Sequence, residues 1–157
     1  LFIQELDNDL LIGTHGRSIY QLELEPIQAL ESLAQQQVSV VQPKAIKHRK
    51  NWGTKYRVWS EAIKPNFSWV FYAANPTSGT WQLTSEKDVI VYEEDIELST
   101  GLRSIPYDLY FMEEQVNKYN RKHKSKLTVA DDEKTYLPKG SYKLLWNDKQ
   151  ISTLTIE

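Results

Sequence analysis

Trp69-Val70-Phe71-Tyr72-Ala73, then Asn75-Pro76-Thr77-Ser78-Gly79, then Trp81-Gln82-Leu83 is a strand, a turn and a second strand. Aromatic and β-branched side chains suit a pleated, half-buried surface, and a cluster of Asn, Pro, Ser and Gly between two such runs marks a turn. Trp69 stands one step out of phase with Val70 and Tyr72, so one of the two faces is expected to look outward or to meet another layer. Trp146 and Leu145 stand in the same relation. The pattern repeats outward from this hairpin. Tyr56, Val58 and Trp59 fit a strand before it. After it come Val89-Ile90-Val91-Tyr92, a short run at Ile96 and Leu98, the turn Ser99-Thr100-Gly101, and the alternation of Ile105, Tyr107 and Leu109. Residues 142–146 and 151–156 pair through Asn147-Asp148-Lys149. Short strands recurring roughly every ten residues predict a mainly β fold, an all-β sandwich over residues 51–157. One segment breaks the rhythm. Residues 111–124 lack Pro and Gly, and Met112, Val116 and Tyr119 recur at helical spacing, which predicts a surface helix inserted between strands.

The first third reads differently. Leu10, Leu11 and Ile12, the polar turn Thr14-His15-Gly16-Arg17-Ser18, and Ile19, Tyr20, Leu22 and Leu24 form a hairpin over residues 1–24, with Gly13 and Gly16 available for positive φ. Two strands alone are marginal in water, so this hairpin calls for a partner sheet. Residues 25–50 are expected to link it to the sandwich. Pro26 suits the first position of a helix over 26–37, whose narrow stripe is Ile27, Leu30, Leu33 and Ala34. Val38, Val40 and Val41 suggest a strand, and Pro43 with the basic stretch 44–50 completes the linker.

Bulk composition excludes several classes. A chain of 157 residues buries roughly 68–70% of its unfolded surface and folds without staples. Its formal net charge of −2 lacks the basic excess by which nucleic-acid binders release counterions, so no nucleic-acid partner is expected. The basic cluster Arg121, Lys122, His123, Lys124 and Lys126 reads as a solvated helix end, favoured by the dipole. The absence of cysteine excludes disulfides and thiolate chemistry. No apolar run is long enough to span a membrane. His15, His48 and His123 are far apart, and the lysines and arginines around the last two suggest exposure. No nucleophile elbow, phosphate loop or metal spacing is present, so no catalytic residue, metal ligand or cofactor is assigned. The acids fall in runs, Glu93-Glu94-Asp95, Glu113-Glu114 and Asp131-Asp132-Glu133, which read as solvated turns and edges. A calcium site at the last is the alternative. Five Trp and nine Tyr belong mostly to a β core. Trp52, Trp59 and Trp81 are nevertheless candidates for stacking on a glycan, with Trp52, beside Gly53, expected to be the most exposed.

The stretch Asp9-Leu-Leu-Ile-Gly-Thr-His-Gly-Arg-Ser-Ile-Tyr20 resembles the last blade of bacterial sortilin-like, BNR-repeat propeller proteins described as glycosyl hydrolase-like. Pro26-Ile-Gln-Ala-Leu30 is similar to the helix that follows that blade. Gly101-Leu-Arg-Ser-Ile-Pro-Tyr-Asp-Leu109 and Tyr136-Leu-Pro-Lys-Gly-Ser-Tyr-Lys-Leu144 resemble two strands of the immunoglobulin- or fibronectin-like domain beyond it, with Tyr107 where a Trp is usual. The resemblance implies that Pro138 and Gly140 set a turn and that Tyr142 enters the core. It also implies the C-terminal piece of an exported, extracellular or envelope protein whose propeller precedes residue 1. The chain's opening at Leu1 within an apolar stretch accords with that. No acid–base pair of the family transfers to these residues. The expected role is a non-catalytic accessory domain, with a carbohydrate-binding module as the alternative and an independent hydrolase as the least supported. Its partners would be the rest of the propeller and a polysaccharide. Leu10, Ile12, Ile19, Tyr20 and Leu22 are expected to form an apolar contact surface for that propeller.

Overall fold

The computed structural model describes residues 2–4, 8–13, 18–57 and 59–157. The polar turn at Thr14, His15, Gly16 and Arg17 and the strand residue Val58 therefore lie outside the described residues. The fold is mainly β and antiparallel. Strands β1 (Phe2–Gln4), β2 (Asp9–Gly13) and β3 (Ile19–Glu23) form a meander in that spatial order. Two single-turn helices, α1 (Glu25–Gln28) and α2 (Leu30–Leu33), come next, and then β4 (Val38–Val40), β5 (Ser68–Ala73), β6 (Thr77–Ser85), β7 (Ile90–Leu98) and β8 (Gly101–Pro106). Helix α3 (Glu113–His123) precedes the closing hairpin β9 (Gly140–Trp146) and β10 (Lys149–Ile156). One sheet has the order β10-β9-β6-β7 and another the order β4-β5-β8.

Alternation decides the core. On β5 the inward set is Trp69, Phe71 and Ala73, so Trp69 faces the core and its neighbours Val70 and Tyr72 are half-buried. Trp81 and Leu83 on β6, and Tyr142, Leu144 and Trp146 on β9, supply the facing side. The two sheets touch through rings: Trp69 meets Trp81 edge-on at 6.3 Å, and Phe71 meets Trp146 at 6.0 Å. Gly79 permits the second contact, because a Cβ there would lie 2.5 Å from the Trp146 ring. Tyr107 is buried, and its hydroxyl donates to the Tyr110 carbonyl at 2.7 Å. Tyr142 is also buried and donates to the Pro138 carbonyl at 2.8 Å, closing the corner at the start of β9. Such a tyrosine corner recurs in β-sandwiches.

Several local expectations need correction. Residues 26–37 do not form one helix. Two single turns, Glu25–Gln28 and Leu30–Leu33, meet at Ala29, whose amide still bonds the Glu25 carbonyl, and only Leu33 within them is buried. With so narrow a stripe, little packing offsets the cost of nucleation. Gly13 lies within a strand without positive φ. Tyr56 and Trp59 lie in a turn-rich loop, not a strand. Residues 90–98 form one long strand instead of two short ones. The stretch read as a linker carries β4, which pairs with β5, and Ile46, which bridges to Ile156. The inserted helix is present as α3, with Arg121, Lys122 and His123 in its last turn. The β9–β10 turn is also as expected, with Asn147 and Asp148 both at positive φ (45° and 66°), the requirement of a two-residue hairpin turn.

Candidate functional site

Of the three tryptophans proposed to meet a glycan, two are core residues. Trp81 is fully buried, stacked on Tyr92 at 4.9 Å and edge-on to Tyr107 at 5.3 Å. Trp52 is buried beside His48 (5.0 Å) and Tyr136 (6.1 Å). Neither is the exposed ring that stacking on a glycan was expected to use, and that expectation is corrected for both. The reason at Trp52 lies in Gly53. Its φ of +77° and missing Cβ let the backbone cross within reach of Ala130 and Tyr136, which keeps the preceding indole inside. Trp59 is 82% exposed. It sits on a tight turn closed by the Ser60 amide, which donates to the Arg57 carbonyl at 3.0 Å, and exposed Tyr56 lies beside that turn.

The titratable groups hold structure. His48 and His123 are half-buried, contrary to the expectation of exposure. His123 stacks on Tyr119 at 4.0 Å, and its Nε2 lies 3.0 Å from Ser85 Oγ. Ser85 is buried and its Oγ also accepts the Val89 amide at 3.3 Å. The Ser–His pair thus pins the end of α3 to the β6–β7 turn and presents no nucleophile to solvent. Burial, with Lys87 and Lys122 nearby, lowers the His123 pKa. Asp131 Oδ2 accepts the Lys55 amide at 2.9 Å, and Asp132 accepts the Tyr136 hydroxyl at 2.7 Å. Both carboxylates brace a loop. Among the described residues no group of three or more His, Asp or Glu is placed to hold a metal ion. Among them, too, no helix is long and apolar enough to cross a membrane.

The most unusual surface is the β1–β3 meander. Residues directly opposite in antiparallel strands share a face. The register pairs Ile3 with Leu10, Leu10 with Leu22, and Ile12 with Tyr20. Ile3, Leu10, Ile12, Tyr20 and Leu22 therefore form one continuous apolar face. Ile3, Tyr20 and Leu22 are 54%, 59% and 42% exposed, and Leu10 and Ile12 are half-buried. Ile19 is exposed too, but it pairs with Gly13 on the opposite face, so it does not belong to the group in which the sequence pattern placed it. That opposite face is mixed, with Phe2, Leu11 and Ile19 among polar residues. Gln21 donates there to buried Asp9, and Gln4 and Glu23 flank the pair. None of these apolar residues joins the hydrophobic cluster that the other two sheets share. Ile3 was missed because three residues are too few to show a period. No family model matches the chain, and neither a curated protein nor a solved structure matches it.

Proposed function

We propose that this chain is a non-catalytic accessory module, an immunoglobulin-like β-sandwich fronted by a partial propeller blade, which docks onto a β-propeller through the Ile3, Leu10, Ile12, Tyr20 and Leu22 face. That continuous apolar face, left uncovered by the rest of the chain, is the observation that carries the reading. A sheet buries its apolar face against a second layer, and a contiguous exposed patch of this kind marks an interaction surface. The resemblance of residues 9–20 to a terminal propeller blade names the partner, and an exported, cell-envelope setting accompanies it. The ring contacts between β5 and the β6–β9 pair, together with the Tyr142 corner, support the sandwich arrangement. Buried Ser85, bonded to half-buried His123, and the bracing carboxylates support a role without catalysis.

The test is amide hydrogen exchange at residues 9–13 and 19–23. It is measured on this chain alone and on the same chain joined to the propeller of the resembled family. Protection that rises only in the joined protein, and that Tyr20→Asp with Leu22→Asp removes, is the expected result. Equal exchange in both proteins would end this reading. A glycan-binding role retains one supporting observation, the exposed Trp59 and Tyr56 of a single turn.

A further inference from the structure

A pocket of about 410 Å³ opens beside Trp52, on the body formed by β4–β10. Its ring wall is His48, Trp52 and Tyr136. Arg49, Lys50 and Lys126 line it, and Lys139 lies close enough to lower the His48 pKa. Among the described residues none of these four cations makes a side-chain ion pair. Asp131, whose Oδ2 accepts the Lys55 amide, also lines the pocket, and Asp132 accepts the Tyr136 hydroxyl at its ring wall. A chain of net charge −2 thus gathers four cations against two carboxylates at one concave site, an excess that raises the local concentration of anions. One wall continues into the aromatic turn. Thr54 lines the pocket, and the loop above it is closed at its base by Gly53 donating to the Ile63 carbonyl (2.7 Å) and Ile63 donating to that of Thr54 (3.1 Å). Trp59, five residues from Thr54, is at most roughly 18 Å from it.

We propose that this pocket takes the carboxylate or sulfate groups of an acidic polysaccharide, with Trp59 and Tyr56 stacking on sugars that run past the rim. Rings give sugars a flat apolar face, and the cations select the anionic polymer from its neutral counterparts. The sequence pattern assigned residues 44–50 to a linker because a run of Lys, His and Arg looks solvated. Their convergence with Lys126 depends on the Ile46–Ile156 bridge and the His48 amide bonding to the Glu157 carbonyl at 2.7 Å.

The experiment is an NMR titration of the intact chain, at low salt, with polygalacturonate, dextran sulfate, neutral dextran and inorganic phosphate. Saturable shifts at His48, Trp52 and Trp59 with at least one acidic polymer, and none with neutral dextran, are expected. The two acidic polymers distinguish carboxylate from sulfate as the bound group. Lys50→Gln with Lys126→Gln should weaken binding at least about tenfold, and Trp59→Ala about fivefold. The bound anion should also raise the His48 pKa, which burial, Lys139 and Lys50 lower, with Arg49, Lys126 and Asp131 lining the same pocket. Unchanged affinity in the double variant would overturn the proposal. So would neutral dextran binding as tightly as the acidic polymers, or phosphate producing the shifts while neither acidic polymer does.

Discussion

Gly53 imposes two separable penalties on any side chain. Its φ is +77°, and a Cβ would lie 2.3 Å from the Ala130 Cβ and 2.6 Å from the Tyr136 ring. Gly101 carries only the first penalty, with φ +95° and open space around it. Gly101→Ala should therefore cost about 1–2 kcal/mol, and Gly53→Ala about 2–4 kcal/mol, since overpacking adds to the backbone strain. Urea unfolding at constant m reads both values, and equal costs would refute the close crossing at Gly53. Gly79→Ala separates the terms from the other side, because its φ is ordinary and only the Trp146 and Asn147 contacts oppose it. Tyr142 argues similarly through its hydroxyl, which donates to the Pro138 carbonyl and lies against Tyr119. Tyr142→Phe keeps the buried ring but strands the Pro138 carbonyl, a loss of about 1–2 kcal/mol by the same measurement. The resemblance carried by residues 136–144 led to the expectation of Tyr142 in the core, but Gly53 carried no comparable signal. Nothing local records that residues 130–136 cross there.

At the scale of elements, α3 is held at its end. His123 stacks on Tyr119 and meets Ser85, while Lys87 and Lys122 each donate to the other's carbonyl across the same junction. The charged groups facing the imidazole are Glu86, Lys87 and Lys122, and burial acts more strongly than any of them. The folded pKa is lowered from 6.5, and that of His48 is lowered as well. The unfolded chain takes up these protons first as pH falls. The contribution to stability is thus complete above pH 6.5 and is lost as pH drops below it toward the folded values. The urea midpoint should decline as pH falls below 6.5, and His123→Gln should flatten part of that slope. A slope unchanged in the variant would show that His123 titrates freely. This helix was legible because residues 111–124 lack breakers and carry a thin stripe. Residues 26–37 carry a stripe of similar quality yet fold as two turns. Periodicity alone did not separate the two. The difference lies in what they pack against: Tyr119 reaches Phe111 at 4.8 Å as well as His123, whereas Leu33 is the one buried residue of α1 and α2.

Across the whole molecule the apolar side chains divide unevenly. Two sheets share one cluster, tied by Trp69 to Trp81 and by Phe71 to Trp146. The β1–β3 meander contributes none of its apolar residues to that cluster. Its connections to the neighbouring helical turns are local, and α1 in turn pairs with Lys44. Asn8 and Gln28 exchange side-chain amide bonds, Leu24 donates to the Asn8 carbonyl, and Lys44 pairs with Glu25 at an exposed position. Strand alternation made the shared core readable, since Trp69, Phe71, Trp81 and Tyr142 all sit in period-two runs. Which face of each run turned inward depended on the opposite sheet, and so Trp69 and Trp81 were open until the layers met. Small sheets without a second layer are marginal, and local stability tracks buried apolar contact. Amides of β2 and β3 should therefore exchange through openings at least about 2 kcal/mol below the global unfolding energy. Those of β5, β6 and β9 should exchange only with global unfolding. Denaturant-dependent hydrogen exchange separates the two regimes by slope. Removal of residues 1–24 supplies the complementary observation: near-UV circular dichroism from the Trp69, Trp81 and Trp146 cluster should persist, with a Tm within about 5 °C of the full chain. If the meander instead exchanges with the global slope, or if its removal melts the tryptophan cluster, then the first strands are part of the same cooperative unit. The apolar face would then be a requirement of this fold and no longer an argument for a partner.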